Sequence, residues 1–287
     1  MDWTACPVSK MDKLLAATDG SKFSQSAIRE AINLAKICSA KLITLSVVTT
    51  NPEFEEIAPK IIEKAEQEAR AHLESVKAMA SGQGVECEII LYRSAEPFQG
   101  IVDIAAKNRA DMIIMGTHGR TALRRLMMGS VTAKVIGHAP CNVLVVPLDA
   151  KIGYRTILLA TDGSRYSDAA ASEAFGIAKR CGSSLIILSV AYTDEELESP
   201  DEAVEIASAE ENVKKVVGSA EEEGIKTEGL TLRGNPYKVI VETSRRRLAD
   251  LIVVGSHGRT GLERLLMGSV TERVIGHAES AVLVVRA

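Results

Sequence analysis

The 287-residue sequence has few cysteines, little net charge and no long apolar run. Its five cysteines are widely spaced and form no Cys-x-x-Cys pair, which argues against a disulfide framework and against a zinc site. The net charge of −4 at pH 7 favours neither nucleic acid nor an anionic membrane as a partner. No apolar run approaches the ~20 residues that span a bilayer, and no signal-peptide pattern is present. We therefore expect a cytoplasmic protein.

Two common phosphate-binding loops are also missing. The sequence has neither a Walker A pattern nor the Gly-x-Gly-x-x-Gly fingerprint. It has instead an internal repeat, because residues 116–138 and 255–277 match at 17 of 23 positions without a gap. We predict two tandem copies of one domain, over residues 1–150 and 151–287. Residues 1–10 have no counterpart in the second copy and are expected to form a loose leader.

The repeated segment has the features of an anion site. Gly116 and Gly255 each follow a short apolar run, which predicts that they end a buried strand. Further on, Gly-Ser-Val-Thr opens a helical pattern and places Ser130 and Ser269 at the predicted N-cap. A helix N-terminus offers unpaired N–H groups to phosphate, and glycine lets the backbone approach it. The alternative is that the glycines only form tight strand-to-helix turns.

The spacing Gly-x-x-Gly, nine residues, Gly-Ser resembles the ATP-binding motif of the universal stress protein family. The resemblance covers nearly the whole chain, twice. It implies an α/β fold of two tandem doubly wound, Rossmann-like domains, each with a five-stranded parallel sheet in the order 3-2-1-4-5 and helices on both faces. It also implies one ATP or AMP site in each repeat, with Mg²⁺ as a possible companion of ATP.

The alternation of strands and helices independently predicts a parallel sheet covered on both faces. Ligands of such sheets bind beyond the carboxyl ends of the strands where the strand order reverses. The predicted elements include first strands at 13–18 and 156–161, a first helix at about 24–38, long helices at 57–79 and 201–220, and third strands at 85–91 and 225–232.

The candidate site residues come from these strand ends and from the repeated motif. Asp19 and Asp162 follow the first strand of each repeat, where they can accept a hydrogen bond from ribose or adenine or instead cap the next helix. Val47 and Val190 match the family position whose backbone recognises adenine. The predicted nucleotide-binding residues are Ala17, Thr18, Asp19, Val47, Met115, Gly116, Gly119, Arg120, Gly129, Ser130, Val131 and Thr132 in the first repeat, and Ala160, Thr161, Asp162, Val190, Val254, Gly255, Gly258, Arg259, Gly268, Ser269, Val270 and Thr271 in the second.

The roles of the charged residues in the motif stay open. Arg120 and Arg259 either screen phosphate charge or are solvated loop arginines. His118 and His257 are more simply residues that structure the turn than general bases, because no acidic partner or nucleophile pattern is fixed beside them. We predict no catalytic residue and no metal site. Two alternatives remain, a slow ATPase or autophosphorylating protein with Ser130 or Ser269 near the γ-phosphate, and a nucleotide-independent scaffold.

The fifth strands bear on assembly. Residues 143–146 and 282–285 are apolar, and each run would be a bare sheet edge in an isolated domain. The resemblance implies that such edges pair antiparallel between domains, which predicts pairing of the two repeats within one chain. A homodimer through another surface is a further possibility.

Overall fold

The computed structural model describes residues 11–119, 128–192, 202–259 and 267–287. The chain divides into two compact units, of which the first ends at Asp149 and the second runs from Ala150 to Ala287. We call them the first and the second repeat.

The first repeat alternates strands and helices. Its elements are β1 (Lys13–Ala17), α1 (Lys22–Cys38), β2 (Lys41–Thr49), α2 (Pro52–Ile57), α3 (Pro59–Ser81), β3 (Cys87–Ser94), α4 (Pro97–Asn108), β4 (Met112–Gly116), α5 (Ser130–His138) and β5 (Asn142–Val146). The strands lie in the order β3-β2-β1-β4-β5. All four pairings are parallel, which confirms the predicted doubly wound sheet.

The second repeat has the same order of strands. Its elements are β6 (Thr156–Ala160), α6 (Arg165–Cys181), β7 (Ser184–Ala191), α7 (Glu202–Glu222), β8 (Thr227–Arg233), α8 (Pro236–Arg246), β9 (Leu251–Gly255), α9 (Ser269–His277) and β10 (Ala281–Val285). Its strands lie in the order β10-β9-β6-β7-β8, again parallel throughout. Read from the outer strand β8, this is the predicted order 3-2-1-4-5.

Burial explains why these segments form strands and helices. All five residues of β4 and of β9 are buried, as expected of central strands that are covered on both faces. The long helix α3 buries Leu73, Val76 and Ala80 at a spacing of three and four residues, so one stripe faces the sheet. The helix α7 repeats this stripe with Val213, Val216 and Ala220. Each sheet is therefore fixed by a core of its own.

The structure corrects the boundaries of two predicted elements. The helix expected over 57–79 is two helices, because α2 ends at Ile57 and α3 begins at Pro59. Ala58 between them has φ −135° and ψ 49°, outside the helical region, as the residue before a proline commonly is. The third strands begin and end later than predicted, at Cys87–Ser94 and Thr227–Arg233.

The cysteines differ in whether they form a disulfide. Cys38 at the end of α1 is disulfide-bonded, which the cysteine spacing did not indicate, whereas Cys87, Cys141 and Cys181 form no disulfide. Burial raises the pKa of the Cys181 thiol to about 11.

Among the helices that the structure describes, none combines the length and the apolar character needed to cross a bilayer.

Candidate functional site

The carboxyl ends of the first and fourth strands meet in each repeat. β1 pairs with β4 through Ala16 and Ile114, and β6 pairs with β9 through Leu159 and Val253. The loop after the first strand and the glycine segment after the fourth strand therefore leave the sheet side by side. We call the second of these the Gly loop, from residue 116 to 129 and from 255 to 268.

An aspartate connects the two loops. In the second repeat Asp162 Oδ1 accepts from the backbone N–H of Ser164 at 3.1 Å, and its Oδ2 accepts from the backbone N–H of Arg259 at 2.9 Å. In the first repeat Asp19 Oδ1 accepts from the N–H of Ser21 at 3.0 Å. The helix N-caps are Ser21 and Ser164 themselves, so the alternative in which the aspartates cap these helices is wrong. The carboxylate of Asp162 instead positions the Gly loop.

The glycines that open each loop make room for neighbouring backbone. A Cβ on Gly116 would lie 2.6 Å from the carbonyl oxygen of Phe23, and a Cβ on Gly255 would lie 2.8 Å from that of Tyr166. Both clashes are with backbone atoms in the first turn of α1 or α6, which cannot move without disturbing that helix. Close packing alone therefore requires glycine at these two positions, so the glycines by themselves do not identify a ligand.

The helices that follow the Gly loops begin without a side-chain cap. Their N-caps are Gly129 and Gly268, and α5 and α9 start one residue later, at Ser130 and Ser269, so the predicted serine N-caps are wrong by one residue. No side chain of the described residues caps either helix. Within the part of the chain that the structure describes, no acceptor outside the helix is bonded to the first-turn N–H groups, which is the arrangement that binds anions at helix N-termini.

The hydroxyl groups of this turn have different roles. Thr132 Oγ1 donates to the carbonyl of Gly116 at 3.1 Å, and Thr271 Oγ1 donates to that of Gly255 at 2.8 Å. Both threonines are buried, and their hydroxyl protons are used in these internal hydrogen bonds. They are therefore not available to a ligand in this arrangement. Ser130 and Ser269 are exposed at the helix start. Of these four residues, only the two serines have a hydroxyl group that is open to a ligand.

A cavity of about 310 Å³ lies above the sheet of the second repeat. All twelve predicted residues of that repeat line it, from Ala160 on β6 to Thr271 on α9. Six other residues line the cavity, of which five come from elements without a motif and were missed, whereas His257 lies in the motif and was predicted to structure the turn. They are Ser167, Leu188, Tyr192, Pro236, Ile240 and His257. Of these, Pro236 had a detectable signal, since it opens a helix directly after the third strand.

The backbone of the second strand is open at this cavity. Thr161 N–H donates to the carbonyl of Leu188, and β6 ends one residue earlier, at Ala160. Residues two apart on a parallel strand direct their backbone groups to the same neighbour, so those of Val190 face the side that β6 has left. Val47 stands in the same position beyond Leu45, whose carbonyl accepts from Thr18. Each valine thus presents a backbone donor and acceptor at a strand end.

The first repeat has the same arrangement with different polar contacts. Thr18 Oγ1 lies 2.9 Å from Ser24 Oγ and 3.0 Å from His72 Nε2 on α3. At the start of its Gly loop, Thr117 Oγ1 and His118 Nε2 are buried and have no hydrogen-bond partner among the described residues, and the same holds for Ser21 Oγ. Buried polar atoms are normally satisfied, so this cluster suits a polar ligand. Arg120 lies outside the described residues.

The loop arginine and histidine of the second repeat make defined contacts. Arg259 Nη2 donates to Glu205 Oε2 on α7 at 2.8 Å, so the arginine is not simply solvated. The ring of His257 packs on Tyr166 at 5.0 Å between centroids, and that of His118 packs on Phe23 at 5.9 Å. These contacts support the prediction that the histidines structure the turn. Within the described residues, no group of three or more metal-ligating side chains is present.

Comparison with known proteins gives a consistent assignment. The profile of the Universal stress protein family matches residues 10–147 and 153–286. A universal stress protein of Methanocaldococcus jannaschii is 41% identical over 138 residues, which cover 47% of this chain and 81% of that protein. One from Mycolicibacterium smegmatis is 29% identical and covers 95% of this chain and 96% of its own length. The crystal structure of a universal stress protein from Archaeoglobus fulgidus has the same fold, with a TM-score of 0.74, 23% identity and 96% coverage of both chains.

Proposed function

Since the chain belongs to the universal stress protein family, we propose that it is a stress-response or signalling module in which each repeat binds one adenine nucleotide, ATP or AMP. The observation that carries this proposal is the cavity of the second repeat. It brings an open helix N-terminus, an aspartate and the free backbone of a strand end to one space of about 310 Å³.

Each part of a nucleotide has a complementary group in this cavity. The backbone of Val190 offers a donor and an acceptor to the adenine edge, between the apolar side chains of Leu188 and Ile240. Asp162 can accept from a ribose hydroxyl. The N–H groups at the start of α9 face the phosphates, with the Ser269 hydroxyl beside them.

The first repeat supports the same assignment by its matching elements. Asp19, Val47 and the start of α5 occupy the corresponding positions at the strand ends. The unpartnered Thr117 and His118 atoms add polar groups that a bound nucleotide can satisfy.

Hydrolysis is the weaker alternative. The histidine of each loop packs on an aromatic ring, and the buried threonine hydroxyls are bonded to backbone carbonyls. We therefore expect slow or no turnover of ATP, with Mg²⁺ bound only together with the nucleotide. Release of phosphate at about 1 per second or faster, as in ordinary enzymes, would favour the ATPase instead.

The assembly proposal rests on the apolar edge strands. β5 and β10 each end the strand order of their own repeat. We infer that they pair with each other within one chain, and that any homodimer uses another surface. Hydrogen exchange tests this, because backbone N–H groups on the outer sides of both strands should be protected and fast exchange there would exclude the pairing.

Titration calorimetry with ATP and AMP tests the nucleotide proposal. We expect two equivalents bound per chain and competition between the two nucleotides for the same sites. The control is the double variant Gly129→Val with Gly268→Val, which should release no heat. If the folded parent protein gives no heat with either nucleotide, the proposal is wrong.

A further inference from the structure

The helix α7 of the second repeat pairs an acidic side chain with an arginine that lines the cavity. Glu205 lies in the first turn of this helix, where a carboxylate is favoured by the helix dipole. Its Oε2 accepts from Arg259 Nη2 at 2.8 Å. The backbone N–H of the same arginine is bonded to Asp162. Arg259 therefore joins the long helix, the Gly loop and the loop after β6.

Arg259 is also the source of positive charge at the cavity. Among the described residues that line the cavity, it is the only lysine or arginine. It follows Gly258 directly and lies beside the segment that begins α9, where the phosphates of a nucleotide would bind. A phosphate group that uses this guanidinium must share it with Glu205 or displace Glu205 from it.

The first repeat has no carboxylate at the equivalent position. Buried residues of α3 and α7 correspond at a difference of 140 in residue number, as in Ala69 and Ala209 or Ala80 and Ala220. The same difference places Ala65 opposite Glu205. Ala65 packs against the apolar cluster of Val48, Ile62 and Ala69. Position 65 thus contributes methyl packing where position 205 contributes a negative charge.

We propose that Glu205 is a specificity-determining residue that makes the second site discriminate against ATP relative to AMP. This inference rests on the proposed function, since it concerns the same site. Glu205 offsets the positive charge of Arg259 and adds its own repulsion, and both effects grow with the number of phosphate groups on the ligand. The first repeat has alanine at the corresponding position, so we expect its site to keep the stronger preference for ATP.

The size of the effect follows from exposure. The side chains of Arg259 and Glu205 are 49% and 35% exposed, so water screens their interaction. Exposed ion pairs of this kind contribute little to the binding free energy, so we expect ATP affinity to change by about threefold to fivefold. The change should decrease at high salt, because exposed charges are screened there.

The test measures ATP and AMP affinity at one site of the full-length chain. Gly129→Val removes binding to the first repeat, and Glu205→Gln is then compared with its parent in that background. We expect Glu205→Gln to bind ATP about threefold to fivefold more tightly and to change AMP affinity by less than about twofold. The matched control is Glu202→Gln, which breaks the neighbouring ion pair with Arg233 and should leave the ATP to AMP ratio unchanged.

The reciprocal variant provides a second measurement. In the Gly268→Val background, Ala65→Glu should weaken ATP binding at the first site by a similar factor, while retained AMP binding shows that the repeat still folds. An unchanged ATP to AMP ratio in Glu205→Gln, an equal change for both nucleotides, or weaker ATP binding would each overturn the inference. If the Gly129→Val protein is folded but binds neither nucleotide, the proposed function itself has failed at this site.

Discussion

The two repeats carry nearly the same Gly loop but differ in the long helix that reaches it. In the first repeat, α3 places His72 Nε2 3.0 Å from Thr18 Oγ1 at the end of β1. In the second, α7 has Asn212 at the matching position, and its amide lies against Gly163 in the loop after β6. Gly163 also has φ +78°, a left-handed backbone angle that favours glycine.

This difference shows where two similar sites can diverge. The start of the Gly loop is constrained by packing on the first turn of α1 or α6, so both copies have glycine there. The long helix needs only its buried stripe for the fold, and the positions between are free to change the charge and hydrogen bonding of the site. The pairs His72 with Asn212 and Ala65 with Glu205 are such positions. Unequal nucleotide affinities are the expected consequence.

The largest effect is expected from a side chain at the start of the last helix of each repeat. A Cβ on Gly268 would lie 3.3 Å from His257 Cα, and one on Gly129 would lie 3.2 Å from the carbonyl of Thr117. Valine there would crowd the loop and project toward the open N–H groups. We expect Gly268→Val to weaken binding to the second repeat at least about 100-fold and to leave the first repeat active, and Gly129→Val to do the reverse.

Calorimetric stoichiometry provides the measurement, since each single variant should bind one equivalent. Gly218→Val is the matched control, because a Cβ at Gly218 in α7 meets no atom within 4 Å. Two equivalents of unchanged affinity in the Gly268→Val protein would show that the phosphate site has been misplaced.

A smaller effect is expected from the aspartate that joins the two loops. Asp162→Ala removes the acceptor for the N–H groups of Ser164 and Arg259. We expect the free energy of unfolding of the second repeat to fall by about 2 kcal/mol, as for loss of a hydrogen-bonded charged group. Nucleotide affinity at that site should fall about tenfold, because the Gly loop is no longer held.

Chemical denaturation and titration calorimetry of the same samples measure both quantities. Asp19→Ala is the companion variant and should affect the first repeat alone. A second repeat that keeps its stability and its affinity after Asp162→Ala would show that the carboxylate does not position the loop.

The strand arrangement was largely predictable from the sequence, whereas local geometry was less so. The alternating elements predicted a parallel sheet, but the strand order required the family resemblance, because periodicity does not determine which strands are neighbours. The break at Ala58 was missed although Pro59 marks it in the sequence. The N-caps were predicted one residue late, at Ser130 and Ser269, because serine is the commoner capping residue. Glycine can also precede a helix, so the sequence alone did not distinguish the two positions.

The site was predicted where a motif marks it and missed where packing alone creates it. All twelve residues predicted in the second repeat line one cavity, because strand ends and loops of a parallel sheet meet at one edge. Tyr192 and Ile240 also line the cavity but belong to no sequence motif, so they were not predicted. Glu205 was also missed, since its contact with Arg259 depends on how α7 is rotated on the sheet. That rotation is fixed by long-range packing, which a local pattern does not report.

The central claim is that both repeats hold an adenine nucleotide. The most direct test saturates the purified full-length chain with an equimolar mixture of ATP and AMP and then removes the free nucleotide. The chain is denatured, and the released small molecules are measured by quantitative mass spectrometry. We predict about two nucleotides per chain, one in each single variant, with a higher ratio of ATP to AMP released from Gly268→Val than from Gly129→Val. A folded parent protein that releases no adenine nucleotide would contradict the account.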